Sequence, residues 1–190
     1  MEGKPSAGVD TLLQRLGAAV RIGDVKRVTE QIKCDLESLS TNGAIRLPSR
    51  FRECCGEGYA RRLLHRDPEL GYTVVVMTWG PGQGTELHDH AGMWCVECVL
   101  DGRLEVTQYA VVEQNDELYR FEKREQVQAG IGEAGCLIPP YEYHVLSNAL
   151  KDQPTITLHV YGGEMDRCNL YRPQPSGWWR RVHRDLGYVN

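Results

Sequence analysis

The chain has 190 residues, 41% of them hydrophobic and 25% charged, with a formal net charge of -4 and a pI near 5.9. That length and make-up suit one well-buried globular core and exclude two comfortable domains. The mildly acidic balance gives no electrostatic case for nucleic acid or an anionic membrane, and no apolar run approaches the about 20 residues of a membrane span.

The segment Met1–Asp10 is polar and lacks a signal-peptide apolar stretch. Seven cysteines, at 34, 54, 55, 95, 98, 136 and 168, make an odd set. Together these predict a cytoplasmic protein with buried or reactive thiols and no disulfide framework. Cys95 and Cys98 form a lone C-x-x-C, without the second pair of a zinc set or the helix of a thioredoxin-type motif.

Residues 8–40 read as two helices. Leu12, Leu13, Leu16, Ala19 and Val20 recur at helical spacing, then Val25, Val28, Ile32, Leu36 and Leu39 do so again. Gly23 and Asp24 separate them, with Asp24 an N-cap. A third short helix is expected over 47–55. From Tyr59 the pattern changes to short runs rich in Val, Ile, Thr and Tyr between Gly, Pro, Asp and Asn. Strands are expected at 59–66, 72–79, 94–100, 103–112, 117–122, 135–138, 143–148 and 154–161. That density predicts a mainly β protein, an antiparallel barrel or sandwich. The expected organisation is one domain over 1–190: a helical N-terminal cap at about 8–55, the barrel at 59–170 and a C-terminal extension at 171–190. Trp178-Trp179-Arg180-Arg181 in that extension is expected to pack back across the barrel.

The sharpest chemical signal is Gly82-Gln-Gly-Thr-Glu-Leu-His88-Asp-His90. In a strand, residues two apart share a face, so His88 and His90 can converge on one point. Surface H-x-H pairs also occur, so the pair alone leaves a metal site and a bland surface both open. His144, in a strand after Pro139-Pro140, strengthens the metal reading, because barrel closure brings distant strands side by side. Imidazole suits iron, copper, nickel and zinc, so the ligands do not choose the metal.

The spacing resembles the cupin family. Gly82, His88, His90 and Gly102 match its first motif, with Cys95 where that motif carries an acid. Pro139, His144 and Asn148 match the second, with Tyr141 at its glycine. The resemblance implies a three-histidine site in place of three histidines and a carboxylate. In octahedral geometry such a site leaves three positions for a thiolate, an amine and dioxygen.

Within the cupins, Tyr59-Ala-Arg61-Arg-Leu, Trp79-Gly-Pro-Gly, the H-D-H and Thr157-Leu-His159-Val-Tyr161 are together similar to cysteine dioxygenase, over roughly residues 45–170. The resemblance implies one Fe(II) per chain on His88, His90 and His144. It further implies L-cysteine and O2 as small-molecule partners and cysteine sulfinate as product. Protein partners are not indicated. Cys95 and Tyr161 occupy the positions that the family joins by a thioether bond, a protein-derived cofactor. Arg61 stands where cysteine dioxygenases carry a carboxylate-binding Arg and 3-mercaptopropionate dioxygenases a Gln, and Tyr59 shares its strand face.

On 155–161 the polar residues Thr155, Thr157, His159 and Tyr161 share one face, which is either solvent or a polar barrel interior. With the three-histidine site, a wet pocket is expected, in which Thr157, His159 and Tyr161 form a hydrogen-bonded relay. Gly162-Gly163 replaces the Ser-Pro of animal cysteine dioxygenases. Gly80-Pro-Gly-Gln83 and Leu63-Leu64-His65 are similar to the mercaptopropionate group, so 3-mercaptopropionate is the alternative substrate. A non-oxygenase metal cupin, as isomerase, hydrolase or small-ligand binder, is the alternative of another class.

Overall fold

The computed structural model describes residues 7–189; the expected domain limits at 1 and 190 fall outside them. Helix α1 (Ala7–Val20) buries Leu12, Leu16 and Ala19 on one face, and α2 (Val25–Thr41) buries Val28, Ile32, Leu36 and Leu39. Asp24 caps α2 as expected, its Oδ1 accepting the Arg27 backbone N–H at 3.0 Å. The third expected helix is only a single 3₁₀ turn, Ser49–Arg52. It starts after Pro48 and ends at Glu53, where the backbone returns to extended angles.

Eleven strands follow: β1 (Ala60–Arg66), β2 (Thr73–Trp79), β3 (Leu87–His88), β4 (Cys95–Asp101), β5 (Arg103–Asn115), β6 (Leu118–Gly130), β7 (Ala134–Leu137), β8 (His144–Asn148), β9 (Thr155–Tyr161), β10 (Arg167–Pro173) and β11 (Trp179–Asp185). They form a five-stranded antiparallel sheet, β1-β2-β9-β4-β7, and a ring of six, β10-β11-β6-β5-β8-β3. This is the mainly β cupin-type architecture that the strand density and the motifs imply. Gly102 turns β4 into β5 at φ +80, where a Cβ would lie 2.6 Å from Thr155 Oγ1.

Both faces of the five-stranded sheet are covered. Tyr72, Val74, Val96, Cys98, Leu158 and Val160 pack outward against the two helices. Val75, Met77, Trp79, Cys95, Val99 and Tyr161 pack inward with Leu104, Val106 and Leu146 of the ring. Each fully buried Leu or Val contributes about 1.5–3 kcal/mol, so the helices stabilise a sheet face that water would otherwise meet. β2 and β9 are therefore buried along their whole length. The polar face of β9 looks into the barrel, not into solvent.

Strand structure runs well past the expected limit at 170. β10 pairs with β11 over seven residues, β10 also holds β3, and β11 reaches β6 through Trp179 and Arg180. Residues 171–185 are thus barrel wall and not an appended extension. No helix among the described residues is long and apolar enough to cross a membrane.

Candidate metal centre and its pocket

His88 comes from β3 and His144 from β8, and the two are direct Cα partners across the strands. β3 ends at His88, so strand geometry alone does not aim His90, contrary to expectation. Asp89 does so instead. Its carboxylate accepts the backbone N–H groups of Ala91 (3.1 Å) and Asn169 (2.9 Å), the Asn169 side-chain amide (2.8 Å) and the Tyr171 hydroxyl (2.9 Å). That buried carboxylate ties the H-D-H turn to β10.

The three imidazoles converge. Ring centroids are 4.6 Å apart for His88–His144, 5.0 Å for His90–His144 and 5.4 Å for His88–His90. One ring nitrogen from each lies within 4.8 Å of the others, a set that could hold a metal ion. Burial lowers the pKa of His88 and pushes those of His90 and His144 well below the ordinary value, with the neighbouring imidazoles adding to the shift for the latter two. They are neutral, the form that ligates. His88 Nδ1 lies 3.0 Å from Glu86 O, which fixes its proton there and turns a lone pair on Nε2 inward. That Nε2 faces His144 Nε2 at 3.2 Å. Two lone-pair nitrogens this close fit a shared cation, so the residues present suit a resident metal.

The centre opens into a cavity of about 190 Å³, also lined by Tyr59, Arg61, Trp79, His159, Tyr161 and Cys168. All four residues of the polar β9 face are buried. Tyr161 faces Cys95 directly across the β9–β4 ladder, and its ring lies 5.8 Å from that of His90. Burial pushes the Tyr161 phenol and the Cys95 thiol well above their usual values, so both are protonated. Trp79 Nε1 donates to Thr157 Oγ1 at 2.9 Å, and Thr157 Oγ1 lies 2.7 Å from His159 Nε2. A hydroxyl that accepts the indole N–H keeps one proton to donate, so His159 Nε2 accepts and Nδ1 carries the ring proton. The relay then leads away from Tyr161, contrary to expectation. The His159 and Tyr161 rings lie parallel with centroids 6.0 Å apart, and Nδ1 faces the Glu97 carboxylate at 3.6 Å.

Arg61 is buried, but its fork is partly used. Nη1 donates to Gly187 O at 3.0 Å and Nη2 to Met165 O at 2.8 Å, while the guanidinium lies 5.2 Å from the Tyr188 ring centre. The C-terminal segment thereby clamps the guanidinium against the pocket wall. Tyr59 stacks on Trp79 with centroids 4.4 Å apart, forming the adjacent wall. Arg184 of β11 pairs with Cys168 of β10 and also lines the cavity. Sequence reasoning passed over Arg184, Asp89 and Glu97. Asp89 sits inside the motif and could have been found there; the other two depend on strand register.

The chain is similar to several known proteins. Cysteine dioxygenase type 1 of Rattus norvegicus is 26% identical over 147 residues, covering 75% of this chain and 68% of that protein. The same enzyme of Homo sapiens is 23% identical over 108 residues, covering 53% of this chain and 49% of that one, so the chain spans about half of its length. Among solved structures, a protein from Thermus thermophilus aligns at a TM-score of 0.47 with 20% identity, covering 62% of this chain and 94% of its own. An oxalate oxidase in complex with a substrate analogue aligns at 0.44 with 19% identity, covering 57% and 53%. The family model for cysteine dioxygenase type I matches residues 21–174, most of the chain, and the chain belongs to that family.

Proposed function

We propose that this protein is an Fe(II)-dependent thiol dioxygenase, a single cupin unit acting in the cytoplasm, that converts L-cysteine and O2 to cysteine sulfinate. The observation that carries the reading is the convergence of neutral His88, His90 and His144 on the cavity that Arg61 and Tyr161 also line. Family membership points the same way. Iron, when bound there, would supply the open coordination positions and relay to O2 the electrons that the thiolate sulfur gives up as it gains both oxygen atoms.

The protein's own groups orient the reactants and exclude water. Two of the five N–H groups of Arg61 are used by backbone carbonyls, and the remainder are available to the substrate carboxylate. Tyr59 holds the neighbouring wall by stacking. Protonated Tyr161 donates a hydrogen bond to the reacting groups beside His90. Thr157 fixes the His159 ring, which flanks Tyr161. A thioether bond between Cys95 and Tyr161 would lock the phenol; the two face each other across the ladder. That all seven cysteines are free suits a reducing compartment. The partial engagement of Arg61, with a second guanidinium at Arg184, favours 3-mercaptopropionate as the alternative substrate, since that thiol also ends in a carboxylate.

Metal analysis tests the reading. Protein loaded with Fe(II) without oxygen is expected to hold one iron per chain, and His144→Ala to lose the iron with the activity. Stoichiometric iron retained in His144→Ala contradicts the ligand set. Intact mass after turnover is expected to fall by about 2 Da, the two hydrogens lost on joining thiol to ring; an unchanged mass rules out the cross-link.

A further inference from the structure

Loss of the cupin carboxylate at Cys95 leaves the three histidines without an acid among them. The fold supplies one two residues further along. Glu97 lies on the inner face of β4, directly opposite His159 of β9 in the same ladder that opposes Cys95 to Tyr161. It is only 6% exposed, a carboxylate that burial alone would not favour. Each of its oxygens faces a different imidazole: Oε1 lies 3.9 Å from His144 Nδ1, and Oε2 lies 3.6 Å from His159 Nδ1. Both are ion-pair distances beyond direct hydrogen-bond reach, and Glu97 Oε2 and His144 Nδ1 have no hydrogen-bond partner among the described residues.

The proton positions fit one arrangement. His159 carries its proton on Nδ1, because Nε2 accepts from Thr157. A metal on the Nε2 side of His144, where His88 Nε2 also points, leaves the His144 proton on Nδ1. Two N–H groups then face one carboxyl, which has an oxygen for each; burial raises it to about 8 in the metal-free site, and a divalent cation on the far side of His144 would favour its charged form. We infer that Glu97 is a positioning residue that bridges the Nδ1 atoms of His144 and His159, restoring behind the ligand the negative charge that the family motif carries at the metal itself. This rests on the proposed three-histidine metal centre.

The consequence is a metal centre that is more basic than three bare imidazoles and mechanically tied to the residue flanking Tyr161. An outer carboxylate on a ligand imidazole raises its donor strength, and losing such a partner lowers metal affinity by about 10–100-fold. Glu97→Gln is the diagnostic substitution: it keeps the volume but turns an NH2 donor toward one of the two N–H groups. Glu97→Asp keeps the charge on a shorter arm and partly rescues.

The test is anaerobic chelator competition for Fe(II), and for Zn(II), on the wild-type chain, Glu97→Gln, Glu97→Asp and His144→Ala, with circular dichroism of each metal-free protein to establish folding. The inference expects affinity to fall by about 10–100-fold in Glu97→Gln, and less in Glu97→Asp. It also expects the iron reduction potential of Glu97→Gln to move positive, which a purely structural role would not require. Folded Glu97→Gln with wild-type affinity and potential overturns the inference and leaves the metal centre standing. If Glu97→Gln does not fold, Glu97→Asp decides, since wild-type potential with weakened binding there removes the charge argument. A wild-type chain that binds metal no better than His144→Ala overturns the three-histidine reading, and this inference with it.

Discussion

On the proposed function Arg61 carries the substrate choice, and its surroundings determine how a substitution there reads out. Arg61→Gln removes a charged fork worth about 1.5–3 kcal/mol to a carboxylate, which corresponds to roughly 10–100-fold. The KM for L-cysteine is expected to rise by about that factor, and by less for 3-mercaptopropionate, because Gln is what that group of relatives carries. Steady-state kinetics on both thiols checks it, and equal effects contradict the role. The same substitution strands Gly187 O and Met165 O, so the melting temperature is also expected to fall. At this scale the sequence was most legible where a period of two or a motif spacing fixed the geometry. His88, His144, His159 and Tyr161 line one cavity, and Thr157 bonds His159 from behind it. Glu97 was not legible, since its role depends on the register that sets it against His159, and adjacent residues do not encode which strand lies alongside.

Among the elements, the turn after β9 is where a single carbon matters most. A Cβ on Gly162 would lie 2.6 Å from Cε2 of the Trp94 indole, and Gly162 N donates to Trp94 O at 3.0 Å. Gly162→Ala must displace a large ring beside the metal-site strand, at a cost of about 1–3 kcal/mol for overpacking. Chemical denaturation is expected to show that loss; unchanged stability would mean Trp94 moves freely. This contact leaves room for no side chain after Tyr161 unless Trp94 shifts. Two of the stretches that escaped the sequence lack a dry face. The second half of β6 is almost wholly exposed, so no alternation of apolar and polar residues marks it, although it pairs with β5 throughout. β11, read as an extension, is rich in Arg and only half-buried. β1, β2, β4, β8 and β9 were legible within a residue or two because a buried face imposes the pattern.

For the whole molecule, four buried neutral histidines couple stability to pH. Desolvation lowers His88, takes His90 and His144 well down and takes His159 to about 3, while in the unfolded chain each titrates near 6.5. Below that value the unfolded state binds the extra protons, so these groups stabilise the fold above about pH 6.5 and lose that contribution as pH falls. At pH 5 the loss is about 2 kcal/mol for His159 alone. Glu97 opposes this: raised to about 8 by burial, it favours the fold below its unfolded value near 4.5 and loses that contribution as pH climbs to 8. One carboxyl does not offset four imidazoles, so the metal-free protein is expected to melt markedly lower at pH 5 than at pH 7, with bound metal reducing the difference near neutrality. A flat profile in thermal melts would contradict the buried, neutral site. The fold class and the helical cover were legible at this scale, because strand density and helical periodicity are properties of long stretches; the closure of the ring by residues 167–185 was not. The most direct test of the central claim is dioxygen uptake by anaerobically Fe(II)-loaded protein offered L-cysteine and, separately, 3-mercaptopropionate. One O2 consumed per cysteine sulfinate formed, faster with L-cysteine and absent in His144→Ala, is the predicted result; no uptake with either thiol by iron-replete protein would contradict it.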